Sequence, residues 1–433
     1  MKRKILTGLI LLAWLAGVQA QDLASIYQDA LANDAQYRAA RAQYASIEER
    51  VPQSLAALRP VISASANANR NDANGTGLSS QQYNSGGYTL SLTQPLIRRQ
   101  SVISLDQSTK LLAQAAAQLE QARQELLIRA AQAYFDVLLA RDSLDTIKTQ
   151  RAANLELSAQ AKRSFEIGTV SITDVRDAKA RYDIVTAQEI SASNDLTSKI
   201  LALRQIINKD PGTLATLRAG LALQNPQPYD MQAWVDKALA GNAAVLAAAA
   251  AVEAARLEAK KADAANLPTL DLTASKGSER SGSVTTIGNN VYSKAIGLQL
   301  SIPLYSGGGT LAHEREMLAL LEKSEAELEG ARRIVTLTAQ QAYLGVTTGV
   351  VQVQALEESA SSAKTALDAN KRGLEVGTRI NIDVLNAQQQ LAVTQRDLAK
   401  ARYDTLMSQL KLKAAAGSLG EPDVQEINQL LTR

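Results

Sequence analysis

Long stretches of the chain repeat their apolar residues every seven positions. Between Ser101 and Phe165 this repeat includes Leu105, Leu112 and Leu119, and the second apolar position of the heptad is often alanine. Such a seam is typical of coiled coils, and small residues within it allow helices to approach closely. The pattern predicts a continuous helical tract that is roughly 100 Å long at 1.5 Å per residue.

Four shorter segments alternate apolar with polar residues, which predicts strands that have one apolar and one polar face. These segments lie at about 58–70, 85–97, 266–278 and 291–305. Turn-forming residues separate the members of each pair, as NDANGTGLSSQQYN in the first half and ERSGSVTTIGNN in the second. The segments are long enough for transmembrane strands, which need about 9–11 residues, but a small soluble sheet would show the same alternation.

The chain contains two halves with the same order of elements. The stretch FEIGTVSITDV at 165–175 returns as LEVGTRINIDV at 374–384, and further identities accompany it along both halves. The pattern in each half predicts a helix of about thirty residues, then two strands, and then a long helical hairpin. The tip of each hairpin contains the shared Gly-Thr pair. We therefore expect a signal peptide at 1–20, a first repeat at 21–209 with its tip near 168–174, a linker at 210–229, a second repeat at 230–417 with its tip near 377–383, and a C-terminal tail at 418–433.

The first twenty residues have the composition of a secretory signal peptide, with a basic start, a short apolar run and small residues ending at Ala20. The whole chain has 46 basic and 43 acidic residues, and Lys2, Arg3 and Lys4 account for the excess. The mature chain is therefore formally neutral, which gives no reason to expect nucleic acid as a partner.

Residues that could carry chemistry are few. The chain has no cysteine and a single histidine, His313, so metal sites and nucleophile pairs built on these residues are nearly excluded. The triplet Gly307-Gly308-Gly309 lacks the Gly-Lys-Ser/Thr sequence of a phosphate-binding loop. We expect a protein that is not an enzyme and that needs no cofactor or metal.

A sheet of four strands cannot span a membrane alone, because its open edges would leave backbone groups without partners in lipid. Closed membrane barrels begin at eight strands, so several chains would have to contribute to one barrel. With a signal peptide and no apolar helix long enough to span a bilayer, the sequence predicts an oligomer in the bacterial outer membrane. A structural periplasmic coiled-coil scaffold with soluble sheets is the alternative.

The hairpin sequences resemble the TolC family of outer-membrane export ducts. The resemblance rests on FEIGTVSITDVRDAKARYD, on LEVGTRINIDVLNAQQQLAVTQRDLAKARYDTLMSQLKLKAAAG, and on strand pairs that end in Gln94-Pro95-Leu96 and Ile302-Pro303-Leu304. It implies a mainly α fold with membrane β structure and an internal two-fold repeat. In the homotrimer that it implies, twelve strands, four per chain, form one β-barrel, which a long periplasmic α-helical barrel of coiled-coil hairpins continues.

The same resemblance implies partners and a function. The partners would be a periplasmic adaptor (membrane fusion protein), an inner-membrane pump of the ABC or RND type, and outer-membrane lipid. The duct would conduct proteins, small toxic compounds or both to the exterior. Closeness to the family's founding sequence and the absence of a lipid-acceptor cysteine favour type I protein secretion over drug efflux.

Residue roles at the tips also follow from the resemblance. Adaptor docking is implied for Gly168, Thr169, Gly377 and Thr378, where glycine supplies the left-handed backbone that a tight turn needs. An entrance latch is implied for Arg379, which would pair with Thr173 and Asp174 of a neighbouring hairpin. Asp383 would form a ring that selects cations.

The sequence departs from the family pattern at two positions near these residues. Asn386 lies where a second acidic ring is expected, and Leu374 replaces a tyrosine of the latch. We therefore expect an entrance that is less acidic and more weakly latched.

Overall fold

The computed structural model describes residues 20–75, 78–218, 220 and 223–432. The predicted signal peptide at 1–20 lies, apart from Ala20, outside the described residues. The chain divides into two compact units, and each is described below by itself. The first unit contains Met1–Ala40, Leu119–Val245 and Arg332–Arg433, and the second contains Arg41–Gln118 and Leu246–Ala331.

The described residues form ten α-helices and four strands. The helices are α1 (Leu23–Asn33), α2 (Ala35–Glu48), α3 (Arg50–Ala56), α4 (Arg99–Glu166), α5 (Ile172–Ile207), α6 (Met231–Gly241), α7 (Ala243–Asp263), α8 (Gly309–Glu375), α9 (Asn381–Ala415) and α10 (Glu421–Gln429). The strands are β1 (Val61–Gly75), β2 (Leu78–Ile97), β3 (Thr269–Arg280) and β4 (Asn290–Ser301). The order of helices, strand pair and helical hairpin therefore occurs twice, and α10 follows the second copy.

The long hairpin helices agree closely with the heptad pattern. Helix α4 has 68 residues and α8 has 67. Among the described residues, no single helix is both long and apolar enough to cross a membrane. Helices α6 and α7 pass this test only as a pair, over Met231–Gly241 and Ala243–Asn266, and by length and composition alone. The pair is bent by 42° at the break between the two helices.

The predicted single helix of about thirty residues at the start of each half is wrong, because each is broken at an equivalent Asx residue. The Asp34 Oδ1 accepts the N–H of Tyr37 at 2.7 Å, and the Asn242 Oδ1 accepts the N–H of Ala244 at 2.9 Å. A short polar side chain that accepts these first-turn donors starts a new helix. The break between α1 and α2, and that between α6 and α7, are therefore features of the repeat.

The main hydrophobic core lies in the first unit, where the middle of α4 packs with α1, α5, α9 and α10. Tyr134 and Phe135 are fully buried there, and their rings meet edge to face at 5.7 Å. The Tyr134 hydroxyl donates to the Ala215 carbonyl oxygen at 2.7 Å, so this polar atom is satisfied within the core. Truncating an aromatic residue at such a position typically costs about 3–5 kcal/mol of stability.

The second unit contains an antiparallel sheet in the order β1-β2-β3-β4. Its register places Ile62 opposite Leu92, Leu92 opposite Ala274, and Ala274 opposite Ile296. One apolar row therefore crosses all four strands. On β4 the row continues through Leu298 and Leu300, and Ile296, Leu298 and Leu300 are 78%, 66% and 61% exposed.

The first strand pair extends beyond the predicted 58–70 and 85–97 on the side of the turn, to Gly75 and Leu78, whereas β1 begins at Val61 and not at 58. Most of NDANGTGLSSQQYN, predicted to be a turn, continues the backbone ladder, and cross-strand bonds satisfy its polar side chains. The Asn71 Nδ2 donates to Ser85 Oγ at 2.8 Å, and the Gln82 Nε2 donates to Asp72 Oδ2 at 3.1 Å. Conversely, β4 ends at Ser301 and not at the predicted 305. Pro303 lies two residues after Ser301 and has no N–H to donate to a ladder.

Candidate functional site

The tip of the first hairpin reverses the chain through a Schellman motif. The N–H of Gly168 donates to the Phe165 carbonyl oxygen at 2.9 Å, and the N–H of Thr169 donates to the Ser164 carbonyl oxygen at 2.9 Å. Gly168 has φ of 78°, and a Cβ there would meet nothing within 4 Å. The left-handed backbone, and not crowding, therefore requires glycine at this position.

The second tip has the same geometry. The N–H of Gly377 donates to the Leu374 carbonyl oxygen at 3.2 Å, and the N–H of Thr378 donates to the Gly373 carbonyl oxygen at 2.8 Å. Gly377 has φ of 79°. The threonine hydroxyl also donates to the Gly373 carbonyl oxygen at 3.2 Å. The repeated Gly-Thr pair thus ends one helix and satisfies its last carbonyl groups in both hairpins.

Exposed apolar residues flank both Gly-Thr pairs. Ile167 is 76% exposed and Val376 is 75% exposed, each directly before its glycine, and Ile380 is 63% exposed after the second pair. Sequence reasoning missed these residues, although the signal was available as an aliphatic residue before each Gly-Thr. Each tip presents a small apolar surface together with a threonine hydroxyl.

The two return helices begin differently. Ser171 and Asp174 form a capping box, in which the N–H of Asp174 donates to Ser171 Oγ at 3.2 Å and the N–H of Ser171 donates to Asp174 Oδ2 at 3.0 Å. At the second tip Ile380 has no side-chain acceptor, and only its own N–H donates to Asp383 Oδ2, at 3.4 Å. The Asp174 carboxylate is therefore engaged more firmly by its own helix than that of Asp383.

Arg379 lies close to Asp383 of its own tip. Its Nη1 is 3.9 Å from Asp383 Oδ2, and its side chain is largely exposed. Within the part of the chain that the structure describes, Arg379 makes no hydrogen bond or ion pair with Thr173 or Asp174. The latch to a neighbouring hairpin, the Asp383 ring and the docking role of the Gly-Thr pairs stay predictions.

A hydrogen-bonded contact that the sequence did not predict joins the two hairpins behind the tips. The Arg181 guanidinium, on α5, donates from Nη2 to Asn386 Oδ1 at 2.8 Å and from Nη1 to Gln389 Oε1 at 3.2 Å. No other hydrogen bond or ion pair joins α5 to α9 among the described residues. The acceptors of Arg181 lie about two hundred residues away in the sequence, so no local sequence pattern predicts this contact.

A small apolar cluster packs next to this contact and also draws on both hairpins. Its buried members are Leu157, Ala161, Ala178, Leu367, Val384 and Leu385. Further from the tips, the Tyr403 hydroxyl on α9 donates to Asp142 Oδ2 on α4 at 2.7 Å. Burial raises the pKa of the Asp142 carboxyl, and the hydrogen bond from Tyr403 opposes that shift. Burial and the Asp142 charge both raise the pKa of Tyr403, so its hydroxyl stays a donor.

The repeated halves match a known family. The family model described as "Outer membrane efflux protein" matches residues 26–209 and again 234–418. The chain is 33% identical over 416 residues to outer membrane protein TolC of Vibrio cholerae, which covers 95% of this chain and 94% of that protein. It is 32% identical over 411 residues to the alkaline protease secretion protein AprF of Pseudomonas aeruginosa, covering 92% and 85%. The fold is similar to that of the Campylobacter jejuni CmeC outer membrane channel, with a TM-score of 0.82, 16% identity, and coverage of 94% and 88%.

Fold and comparisons together define a channel protein of the outer membrane with a large periplasmic part, and not an enzyme. The chain belongs to the outer membrane efflux protein family, as the two matches along its length show. The resemblance drawn from the hairpin sequences is confirmed. So are the mainly α fold with a four-stranded antiparallel sheet, the internal repeat and the location in the outer membrane.

Proposed function

We propose that three copies of the chain form an exit duct that carries proteins from a periplasmic adaptor and an inner-membrane ABC-type pump to the exterior. The observation that carries this proposal is the open four-stranded sheet with its exposed apolar row. Lipid would cover that row, but it would leave the edges of β1 and β4 without hydrogen-bond partners. Twelve strands from three copies would close the sheet and exceed the minimum of eight strands.

The cargo and partners are inferred from the relatives and from the tips. AprF is named as a protein of alkaline protease secretion, which supports type I protein secretion over drug efflux through an RND-type pump. Exposed Ile167 and Val376 beside the Gly-Thr pairs give an adaptor apolar contacts, and the exposed threonines of the pairs give it hydroxyl groups. A docking surface of this kind needs little reorganisation when its partner binds.

The absence of cysteine makes site-specific cross-linking a direct test of the adaptor contact. A maleimide cross-linker on Thr169→Cys or Thr378→Cys is expected to capture a periplasmic adaptor in whole cells. Thr197→Cys, an exposed position in the last third of α5 and far from the tip, is the matched control and is expected to capture none. Capture from Thr197→Cys alone, or equally from all three positions, would contradict docking at the tips.

Deleting the gene distinguishes the two cargo classes. We expect the medium of the deletion strain to lack at least one secreted protein, and the full-length gene to restore it. An unchanged set of secreted proteins, together with a lower tolerance of toxic small compounds, would contradict protein secretion and favour efflux.

Arg379→Ser is expected to raise the open fraction of the channel. If each latch of Arg379 with Thr173 and Asp174 contributes about 1 kcal/mol, as exposed ion pairs do at most, the loss of one latch raises the open-to-closed ratio about fivefold. The loss of all three latches in the proposed trimer raises it further. Single-channel recording of the purified protein in a planar bilayer measures the fraction of time that the channel is open. Arg396→Ser, an exposed arginine further along α9, is the control. An unaltered open fraction in Arg379→Ser would refute the latch.

A further inference from the structure

The arginines that join helices in the hairpin region are of two kinds. Arg151 Nη1 meets Glu189 Oε2 at 2.5 Å and joins α4 to α5, within the first hairpin. Arg402 Nη2 meets Glu357 Oε1 at 2.6 Å and joins α9 to α8, within the second hairpin. Arg181 is different, because its two acceptors on α9 belong to the other hairpin. It must release them whenever the two hairpins separate.

We propose that Arg181 is a further gate residue, a clamp that holds the return helices of the two hairpins together through Asn386 and Gln389. The inference rests on the proposed function, because it assumes that the hairpin tips form an entrance that opens. It differs from the predicted latch in its residues, its acceptors and its place. It lies behind the tips, beside the cluster that buries Ala178 and Val384.

The geometry explains why an arginine is used. Asn386 and Gln389 are three residues apart on α9, so their side chains lie on one face of the helix. The planar guanidinium reaches both oxygens at once, at 2.8 and 3.2 Å. A lysine ammonium has no such fixed fork. Two bonds from one rigid group resist sliding of α5 along α9 as well as separation.

The acceptors explain how the clamp can be released. Amide oxygens are neutral at every physiological pH, so this contact does not form the full ion pair that Arg151 makes with Glu189. All three groups of the clamp remain partly exposed, and water can replace the protein acceptors when the helices part. A contact to the neutral amide oxygens of Asn386 and Gln389 is therefore one that partner binding can break.

The test compares Arg181→Ala with Arg151→Ala in the full-length assembled protein. Single-channel recording in a planar bilayer is expected to show at least about a fivefold higher open-to-closed ratio for Arg181→Ala, because each copy of the chain loses one clamp. Arg151→Ala removes the same kind of side chain from a contact within one hairpin, so it is expected to leave the open fraction unchanged. Equal open fractions for both variants and the unmodified protein would overturn the clamp.

Two further variants separate a specific contact from a general loss of packing. Arg181→Lys keeps the charge without the fork and is expected to give an intermediate open fraction. Adding Arg181→Ala to a chain that already carries Asn386→Ala and Gln389→Ala is expected to change nothing more, because the contact is already absent. A further increase of the same size would overturn the assignment of these acceptors.

The outcomes also separate the clamp from the proposed function. If Arg379→Ser opens the channel and Arg181→Ala does not, the clamp is wrong and the duct stands. If the unmodified protein does not conduct at all, the duct is wrong. Hydrogen exchange then still tests the contact in the detergent-solubilised chain, where Arg181→Ala should speed exchange of α9 amides around Asn386 and Arg151→Ala should not. Unaltered exchange would overturn the contact itself.

Discussion

Gly417→Ala is expected to prevent the chain from reaching a stable folded state. Gly417 follows α9 with φ of 69°, and a Cβ built on it would lie 2.0 Å from the Gly241 carbonyl oxygen and 2.9 Å from the Asn242 backbone nitrogen. The left-handed backbone alone costs a non-glycine residue roughly 1–2 kcal/mol. The collision adds more, because both contacted atoms are backbone and belong to the junction between α6 and α7. The yield of extracted protein and its thermal unfolding in detergent measure the effect.

Gly212→Ala is the matched control for this substitution. Gly212 also has a positive φ, 60°, but a Cβ there meets nothing within 4 Å. We expect this variant to fold and to lose only the roughly 1–2 kcal/mol of the left-handed backbone. Equal stability of the two variants would contradict the close approach of Gly417 to the start of the second repeat.

Asp383→Asn is expected to abolish block of the channel by multivalent cations. In the proposed trimer three Asp383 carboxylates would surround the entrance, and a multivalent cation would interact with all of them at once. Each charge pair at 4 Å contributes from about 1 kcal/mol in water to about 4 kcal/mol in a partly enclosed site. Asparagine keeps the shape and still offers an oxygen to the Ile380 N–H, which now donates to Asp383 Oδ2. The helix start should therefore survive.

The measurement for Asp383→Asn is block of single-channel current by added trivalent cations. Asp404→Asn is the control, since Asp404 is an exposed acid on the same helix and pairs with Lys400 at 2.5 Å. We expect Asp404→Asn to be blocked like the unmodified protein. Unaltered block of Asp383→Asn would exclude the ring.

Much of the fold follows from periodicity and repetition in the sequence. The heptads predicted α4, and the repeated Gly-Thr pairs predicted two helix ends that do form the same left-handed turn. The predicted strands of the first pair were too short at the turn. Backbone pairing decides where a strand ends, whereas the polarity of the side chains indicates only which face of the sheet is exposed to solvent. The breaks at Asp34 and Asn242 were missed, because an Asx residue inside a helical pattern competes with the helix only when its side chain turns back.

The site was harder to predict than the fold. The turns at Gly168 and Gly377 could be predicted, because each depends on the left-handed backbone of a single residue, which favours glycine. Arg181 and its acceptors on α9 become neighbours only when two hairpins pack side by side. The sequence also did not predict that the Asp174 carboxylate accepts the N–H of Ser171 at the start of its own helix. A carboxylate has about four acceptor sites, so a latch with Arg379 would add to the cap and need not replace it.

The mass and conductance of the full-length protein purified from the outer membrane test the trimeric duct most directly. The open sheet edges and the exposed apolar row predict a trimer that needs detergent, withstands heating and produces uniform single-channel steps in a planar bilayer. A monomer that stays in solution without detergent and produces no conductance steps would contradict the trimeric duct.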